Sequence, residues 1–302
     1  MFDATHWTSD FRLFQTENMK NTYALLLFFI LFLTACSDDE PIITTCPTDE
    51  ENTHILLGNP SGATHNVNNP NNYLIQLPEF ALSYSRDKGI PNWVRWHLDE
   101  NWMGVAERQD DFRSYPDLPS DWYGVTRANY TNSGFDRGHN CPSADRTCSE
   151  IGNSATFYMV NIIPQAPSHN RGIWAAMENF GRDLVTSGNE VYVIMGNYGI
   201  GGEGSNGDAD YIDDGKIAVP ASIWKVYLIL PEGNNDKLRI YDDTRVIAVD
   251  IANQNDVGTN MDWHDYMTSV DSIEARSGYD IFSDLPFSLQ NTLERKVDTG
   301  PW

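Results

Sequence analysis

The sequence has little positive charge, few cysteines and no apolar run long enough to cross a bilayer. It contains 20 Lys and Arg against 43 Asp and Glu in 302 residues, a formal net charge of −23. Proteins that hold nucleic acid tightly usually present a basic surface to the phosphates, so this composition argues against stable retention of DNA or RNA. It does not exclude an enzyme that needs positive charge at one site only and releases its product.

The sequence also lacks internal repeats, heptad patterns and long proline-rich segments that would separate domains. Hydrophobic residues make up 40% of the chain, enough to fill a substantial core. Seven short β-type runs predict a mainly antiparallel sheet, at residues 73–77, 81–84, 93–98, 157–160, 191–195, 224–230 and 246–249. Apolar residues at helical spacing predict one clear helix over 170–187. We therefore expect a single α+β domain over 73–302.

The N-terminal region has the pattern of a bacterial lipoprotein signal. Lys20 precedes an apolar run at 23–33, which ends at Leu-Thr-Ala-Cys with Cys36 last. The run has 11 residues, too short for the roughly 20 that a spanning helix needs. The alternative is a buried strand or helix, against which the flanking lysine and the small-residue exit argue. We predict a signal peptide over 19–35, and we interpret residues 1–18 as a gene-model extension.

The residues after Cys36 predict how the protein is displayed. Cys36 would carry the lipid, and the polar segment 36–72 would be a flexible tether to the membrane. The acidic stretch 37–40 resembles export tags of surface lipoproteins. We therefore expect an exported protein of the outer membrane, surface-exposed or facing the periplasm. No feature of the sequence predicts an obligate protein partner.

Four cysteines occur, and assigning Cys36 to the lipid leaves three. Cys141 and Cys148 are close in sequence, so we predict a disulfide between them in an oxidising compartment, with Cys46 free in the tether. A zinc site at these two cysteines is the alternative. It lacks a second Cys or His pair at the required spacing.

The most informative segment contains Asp136-Arg137-Gly138-His139, an imidazole next to a glycine and a guanidinium. Downstream come amide and carboxylate side chains, whose oxygens suit a hard cation such as Mg²⁺. They are Asn161, Gln165, Asn170 and Glu178. Together they predict hydrolysis of a phosphodiester with a metal ion.

This pattern resembles the DNA/RNA non-specific endonuclease family, whose signature is Asp-Arg-Gly-His followed by Asn-x-x-Pro-Gln and a metal-binding Asn. The resemblance covers most of the chain after about residue 70. It implies a ββα-metal (His-Me finger) unit within a larger sheet. It also implies a nuclease with little sequence preference that leaves 5′-phosphate products.

The resemblance implies three central roles. His139 would be the general base, since a neutral imidazole can take a proton from water. Asn170 would be the ligand of Mg²⁺, with Mn²⁺ or Ca²⁺ as possible substitutes, although it could also cap the helix. Glu178 would orient metal-bound water, the alternative being a solvated helix carboxylate.

Arginines near the motif are candidates for contacting phosphate. Arg108 matches the family's upstream arginine, but Arg113 lies close enough in sequence to compete for that role. Arg137 either contacts phosphate or braces the loop. A guanidinium suits this task because it binds phosphate through two parallel hydrogen bonds.

The remaining motif residues are expected to support the site. Asp136 would bond backbone near the histidine. Asn161 and Gln165 would fix the loop around the metal, and ordinary turn hydrogen bonding remains open for both.

Together these features predict a lipid-anchored, Mg²⁺-dependent nuclease acting on DNA, RNA or both. Two alternatives stay open: a phosphodiesterase of narrower specificity, and a catalytically silent surface protein that binds a ligand. The presence of His139, Asn170 and Glu178 together argues against an inactive protein, because a protein that only binds a ligand does not need this combination.

Overall fold

A computed structural model describes residues 46–47, 53–257 and 262–301. Within these ranges the strands, numbered in chain order, are β1 Tyr73–Gln76, β2 Ala81–Ser85, β3 Ile90–Leu98, β4 Asp136–His139, β5 Ile162–Gln165, β6 Asn189–Tyr198, β7 Gly202–Gly204, β8 Gly207–Ala209, β9 Tyr211–Ile212, β10 Ile217–Ala218, β11 Ser222–Pro231, β12 Arg245–Ala252 and β13 Met267–Thr268. The α-helices are α1 Glu150–Ala155, α2 Pro167–His169, α3 Ala175–Thr186, α4 Val270–Ser277 and α5 Phe287–Leu293. A π-helix, Asn170–Trp174, joins α2 to α3. The 3-10 helices are Thr53–Ile55, Glu100–Trp102, Arg127–Tyr130, Ser143–Asp145, Met159–Asn161, Asp236–Arg239 and Trp263–Tyr266.

The centre of the fold is a seven-stranded sheet in the order β1-β2-β3-β6-β11-β12-β13, antiparallel at every pairing. Successive side chains on a strand point to opposite faces. On β3, Trp93 therefore joins one apolar cluster and Trp96 joins the other. Helix α3 packs with Trp96 on one face, while α4 and α5 cover the opposite face. The predicted α+β class and mainly antiparallel sheet are confirmed.

Six of the seven predicted strands lie in this sheet, and the seventh is wrong. Residues 157–160 include the start of the 3-10 helix Met159–Asn161. The chain turns here because the Tyr158 N–H donates to Ala155 and the Asn161 N–H donates to Tyr158. Phe157 is fully buried. The apolar run thus reflects burial in a turn, which periodicity alone does not separate from a strand.

The predicted tether is too long, because the folded domain includes residues before 73. Leu57 and Ala63 are 1% and 3% exposed and belong to the same apolar cluster as Trp93. Thr64 forms a bridge with Tyr73. Two buried apolar residues, Leu57 and Ala63, attach this polar segment to the domain. The average composition of the segment does not reveal them.

The predicted Cys141–Cys148 disulfide is also wrong. Cys148 is bonded to Cys46, 102 positions earlier, and Cys141 is a buried free thiol. Asn161 binds both the N–H and the carbonyl of Cys141, which fixes this residue inside the domain. Proximity in sequence therefore gave the wrong partner.

The lipoprotein signal at 19–35 and Cys36 lie outside the described residues. Among the residues described, none belongs to a helix with the length and apolarity to cross a membrane.

Candidate active site

The antiparallel pairing of β4 with β5 brings the two halves of the motif together. Its antiparallel register places His139 opposite Ile162 and Asp136 opposite Gln165. The π-helix with Asn170 follows within a few residues, after α2. Strand pairing and one short connection thus place the motif residues in one region of the domain.

Gly138 is required by the close approach of the two strands. A Cβ atom at this position would lie 2.3 Å from Gln165 Oε1 and 2.6 Å from Gln165 Cβ. Both distances are far below van der Waals contact, so any larger residue would displace the Gln165 amide. Neither polar atom of that amide has a hydrogen-bond partner among the described residues. It therefore remains available to a water or ligand.

His139 lies between two aromatic rings. Its ring centroid is 5.4 Å from that of Phe112 and 4.9 Å from that of Phe157, the latter edge-on. His139 Nε2 is buried and has no partner within the part of the chain that the structure describes. A buried nitrogen without a partner is costly unless a ligand or water satisfies it. The two rings hold the imidazole in place, and Nε2 has no hydrogen bond to any described residue.

Two guanidinium groups flank the same aromatic rings. The Arg108 guanidinium lies 4.8 Å from the Phe157 ring centre, and that of Arg137 lies 4.8 Å from the Phe112 ring centre. Burial, with these two charges, lowers the pKa of His139 to about 3. The imidazole is therefore neutral at physiological pH and able to accept a proton.

Arg113, the competing arginine, is directed elsewhere. Its Nη1 donates to Asp111 Oδ2 at 2.6 Å and to the Ser154 carbonyl at 2.9 Å, and its guanidinium stacks on Tyr158. Arg108 instead donates to Ser143 Oγ at 2.9 Å and reaches the ring that contacts His139. Of these two arginines, Arg108 is the one that lies beside the rings around His139.

Asn170 is positioned by Asp136. Its Nδ2 donates to Asp136 Oδ2 at 2.9 Å, and Arg171 binds the same carboxylate through two hydrogen bonds of 2.8 and 2.6 Å. Asp136 was expected to bond backbone, but it binds side chains instead. With Nδ2 engaged, the amide oxygen of Asn170 is the atom left to serve as a ligand.

The sequence predicted that the helix begins at Asn170, but in the structure it begins earlier. The helical segment starts at Pro167, where a proline is favoured because the first turn needs no N–H from it. Asn170 lies in the π-helix, a geometry that is often found at functional sites. Because a π-helix turns less per residue than an α-helix, the angle around the helix axis between Asn170 and Glu178 differs from that in a regular α-helix.

Asn161 fixes the loop that follows His139. Its Oδ1 accepts from the Cys141 N–H at 2.9 Å, and its Nδ2 donates to the Cys141 and Thr156 carbonyls, each at 2.9 Å. The Asn161 carbonyl also accepts from the Asn140 N–H. Asn161 is therefore a structural brace with its amide fully used.

Glu178 lies beside a buried lysine, Lys225, that the sequence did not predict to be part of the site. Its Oε1 is 3.6 Å from Lys225 Nζ, a fully buried group on β11 that also faces the Trp174 ring at 4.4 Å. Asp145 and Arg182 complete the cluster through a 2.6 Å ion pair. Burial raises the pKa of Glu178, and the Lys225 charge opposes this rise. The carboxylate is thus not a simple solvated helix residue.

The donors of this site suit a hard cation. The amide oxygens of Asn170 and Gln165 are neutral oxygen donors, which Mg²⁺ accepts in sites that keep several waters. Two groups of three His, Asp or Glu side chains with clustered ligand atoms occur among the described residues, and neither includes Asn170.

Several residues that build the site have no local signal in the sequence. Phe112 and Phe157 enclose His139, Ser143 holds Arg108, and Lys225 meets Glu178. Only Arg171 could have been predicted to lie in the site, because it is adjacent to Asn170 in the sequence. The others are ordinary core or loop residues until the fold brings them together.

An antiparallel pair of strands, the first of which ends in the histidine, followed by a helical segment that contains the amide, is the arrangement of a ββα-metal nuclease. A model of the DNA/RNA non-specific endonuclease family matches residues 58–288. The chain belongs to this family. It is therefore a hydrolytic nuclease, and its family uses a metal ion and acts on nucleic acid.

Individual relatives agree with this placement. A protein named "Nuclease" from Nostoc sp. is 44% identical over 245 residues, covering 81% of this chain and 86% of the relative. Human mitochondrial endonuclease G is 31% identical over 168 residues, covering 54% of this chain and 56% of that protein. A chain from the crystal structure of the EndoG/EndoGI complex has a TM-score of 0.63 at 23% identity, covering 77% of this chain and 91% of that one. This last likeness shows the shared fold.

Proposed function

We propose that the chain is a Mg²⁺-dependent endonuclease that hydrolyses phosphodiester bonds of DNA and RNA with little sequence preference and leaves 5′-phosphate ends. One observation carries the proposal: His139 Nε2 is buried without a partner in the described chain, and Arg108 and Arg137 flank the rings around it. A base beside two guanidinium groups suits attack on a phosphate. The name of the Nostoc relative, a nuclease, supports the same reading.

In this mechanism neutral His139 takes a proton from a water molecule. The water oxygen bonds to phosphorus, and the bond from phosphorus to the 3′ oxygen breaks, which leaves the phosphate on the 5′ side of the next nucleotide. Arg108 and Arg137 stabilise the negative charge that develops on the phosphoryl oxygens. These local charges suffice for turnover in a protein whose net charge is −23.

Asn170 would hold the metal through its amide oxygen, with waters filling the remaining positions. A bound Mg²⁺ would supply positive charge for the phosphoryl oxygens and acidify a water near the leaving oxygen. Asp136 and Arg171 keep the Asn170 amide oriented. Glu178 would position a coordinated water, and Lys225 would set the orientation of that carboxylate.

The test is cleavage of plasmid DNA and of total RNA by the wild type and by His139→Ala, each with Mg²⁺ or with EDTA. We expect cleavage of both polymers only by the wild type with Mg²⁺, with 5′-phosphates on the products. Asp87→Asn, an exposed carboxylate paired with Arg86, serves as the control variant. Wild-type protein that leaves both polymers intact but hydrolyses a small model diester would favour the narrower phosphodiesterase.

We also propose that the protein is exported and anchored by a lipid on Cys36. The support is the signal pattern at 19–35 together with the Cys46–Cys148 disulfide, since disulfides persist in oxidising compartments. Membrane fractionation of wild type and Cys36→Ala tests it. The wild type should sediment with outer membranes and the variant should be released, whereas equal partitioning would reject the anchor.

A further inference from the structure

A cluster of carboxylates joins the two C-terminal helices, on the sheet face opposite α3. Asp271 and Glu274 stand three positions apart on α4, and Glu294 caps the C-terminal end of α5. One ligand atom from each of the three lies within 4.8 Å of the others. The backbone joins the helices at the same point, because the Asp271 N–H donates to the Glu294 carbonyl at 2.9 Å.

Burial separates this cluster from ordinary surface acids. Glu294 is only 6% exposed, and its Oε1 has no hydrogen-bond partner among the residues the structure describes. Glu274 Oε1 accepts from the Ile281 N–H at 2.6 Å. A buried carboxylate oxygen without a donor is expensive unless a proton or a cation satisfies it.

The surrounding charge is negative. Asp271 and Asp280 act on both Glu274 and Glu294, so four carboxylates share one region. Arg295 Nε lies 3.8 Å from Asp271 Oδ2, and both side chains are exposed. This pair lies at the solvent side of the cluster and does not neutralise the buried Glu294. Burial and these neighbours raise the pKa of Glu294 to about 8 and that of Glu274 to about 7.

We propose that Asp271, Glu274 and Glu294 bind a Ca²⁺ ion that fastens α5 to α4, at a site separate from the catalytic centre. Ca²⁺ accepts six to eight oxygen ligands in flexible geometry, and carboxylates with waters provide them. The half-exposed Asp271 leaves one side open to solvent, where waters complete the coordination. The ion would supply the partner that Glu294 Oε1 lacks.

The test measures Ca²⁺ binding by calorimetry and the midpoint of thermal unfolding, on the full chain in excess Mg²⁺ so that the catalytic site is already supplied. We expect binding of one Ca²⁺ and a rise in the midpoint of about 3 to 10 °C at saturating Ca²⁺. Glu294→Gln should abolish both effects. Asn170→Ala should keep both, which separates this site from the catalytic metal and from the nuclease proposal.

Two further variants complete the experiment. Asp271→Asn is on the open side and should weaken Ca²⁺ binding without endangering the fold. Glu232→Gln, an exposed carboxylate elsewhere, should leave it unchanged. The proposal is overturned if the wild type shows no Ca²⁺-dependent shift beyond that of NaCl at equal ionic strength, or if Glu294→Gln retains the full shift. The first result would indicate that the carboxylates share a proton, and the second would place the Ca²⁺ ion at another site.

Discussion

Asp136 Oδ2 accepts a hydrogen bond from Asn170 Nδ2 at 2.9 Å, which fixes which end of the amide is free. An unrestrained amide could rotate and present its NH₂ group, which cannot bind a cation. The first residue of the Asp-Arg-Gly-His motif thus acts through a residue 34 positions later. Arg171, which binds the same carboxylate through two hydrogen bonds, keeps it oriented.

Replacing Asp136 by Asn should therefore weaken metal binding more than folding. Asp136 Oδ2 accepts from Asn170 Nδ2 and Arg171 Nε, and Oδ1 accepts from Arg171 Nη2. In the variant an NH₂ group replaces one of these oxygens and faces a donor, so the three bonds that orient Asn170 and Arg171 cannot all form. We expect about 10- to 100-fold lower activity at limiting Mg²⁺, partly recovered at high Mg²⁺. A Mg²⁺ titration of cleavage rate measures this, with Asp87→Asn as control. An unchanged half-saturation would show that Asp136 does not position the ligand.

The pH profile should reveal the environment of His139. Burial, Arg108 and Arg137 lower its pKa from 6.5 to about 3, so the base loses activity only when the pH falls towards 3. The dependence of kcat/KM on pH reports groups of the free enzyme. We expect no acid limb between pH 7 and 5. A limb with a midpoint near 6.5 would contradict a buried, neutral base.

Arg108 and Arg113 should differ sharply as alanine variants. Arg108 reaches the ring that contacts His139, whereas Arg113 is engaged by Asp111 and Ser154. Losing a group that stabilises the transition state costs about 10²- to 10³-fold in kcat. We expect that loss for Arg108→Ala and less than about tenfold for Arg113→Ala. Steady-state kinetics on plasmid DNA compares them, and the reverse order would reassign the role.

The Cys46–Cys148 disulfide should stabilise the folded protein, whereas Cys141, a free thiol, forms no such cross-link. It closes a segment of 102 positions, for which the chain-entropy model gives about 4.7 kcal/mol of stabilisation. Cys148→Ser should lower the free energy of unfolding by a large part of that amount. Mass spectrometry of a non-reduced digest should link the Cys46 and Cys148 peptides. A Cys141–Cys148 link would restore the prediction from sequence.

Buried His169 should make the fold sensitive to acid. Burial, with the charge of Lys225, lowers its pKa from 6.5 to about 3. The unfolded chain therefore binds one more proton than the folded chain between these values. Stability consequently falls as pH drops below 6.5, by about 1.4 kcal/mol per pH unit for one histidine.

Denaturant unfolding at several pH values between 4 and 6.5 measures this slope. His169→Gln should reduce it by about 1.4 kcal/mol per pH unit, whereas His65→Gln, at an exposed site, should leave it unchanged. Comparison of each variant with the wild type cancels the opposing contributions of Glu274 and Glu294. Equal slopes for wild type and His169→Gln would show that His169 does not stay neutral.

The part of the site that the sequence predicted is the part whose residues stand in the motif itself. The order of motif residues was enough to group His139 with Asn170, although neither β4 nor β5 was among the predicted strands. The failed predictions involve residues whose environment depends on the whole fold. Residues 157–160 are apolar because they pack beneath the site, and Leu57 is buried because the distant Trp93 belongs to the same cluster.

The sequence by itself determined the family and the sheet-rich class, because those depend on motif residues and alternating patterns that are local in the chain. It also predicted His139 as the central base. The tertiary structure alone decided which arginine reaches the rings around His139, that Lys225 meets Glu178, and that Cys148 pairs with a cysteine 102 positions away. The physical reason is that such contacts are made only when the sheet and its helices bury distant segments together, and no local pattern records which segments will meet.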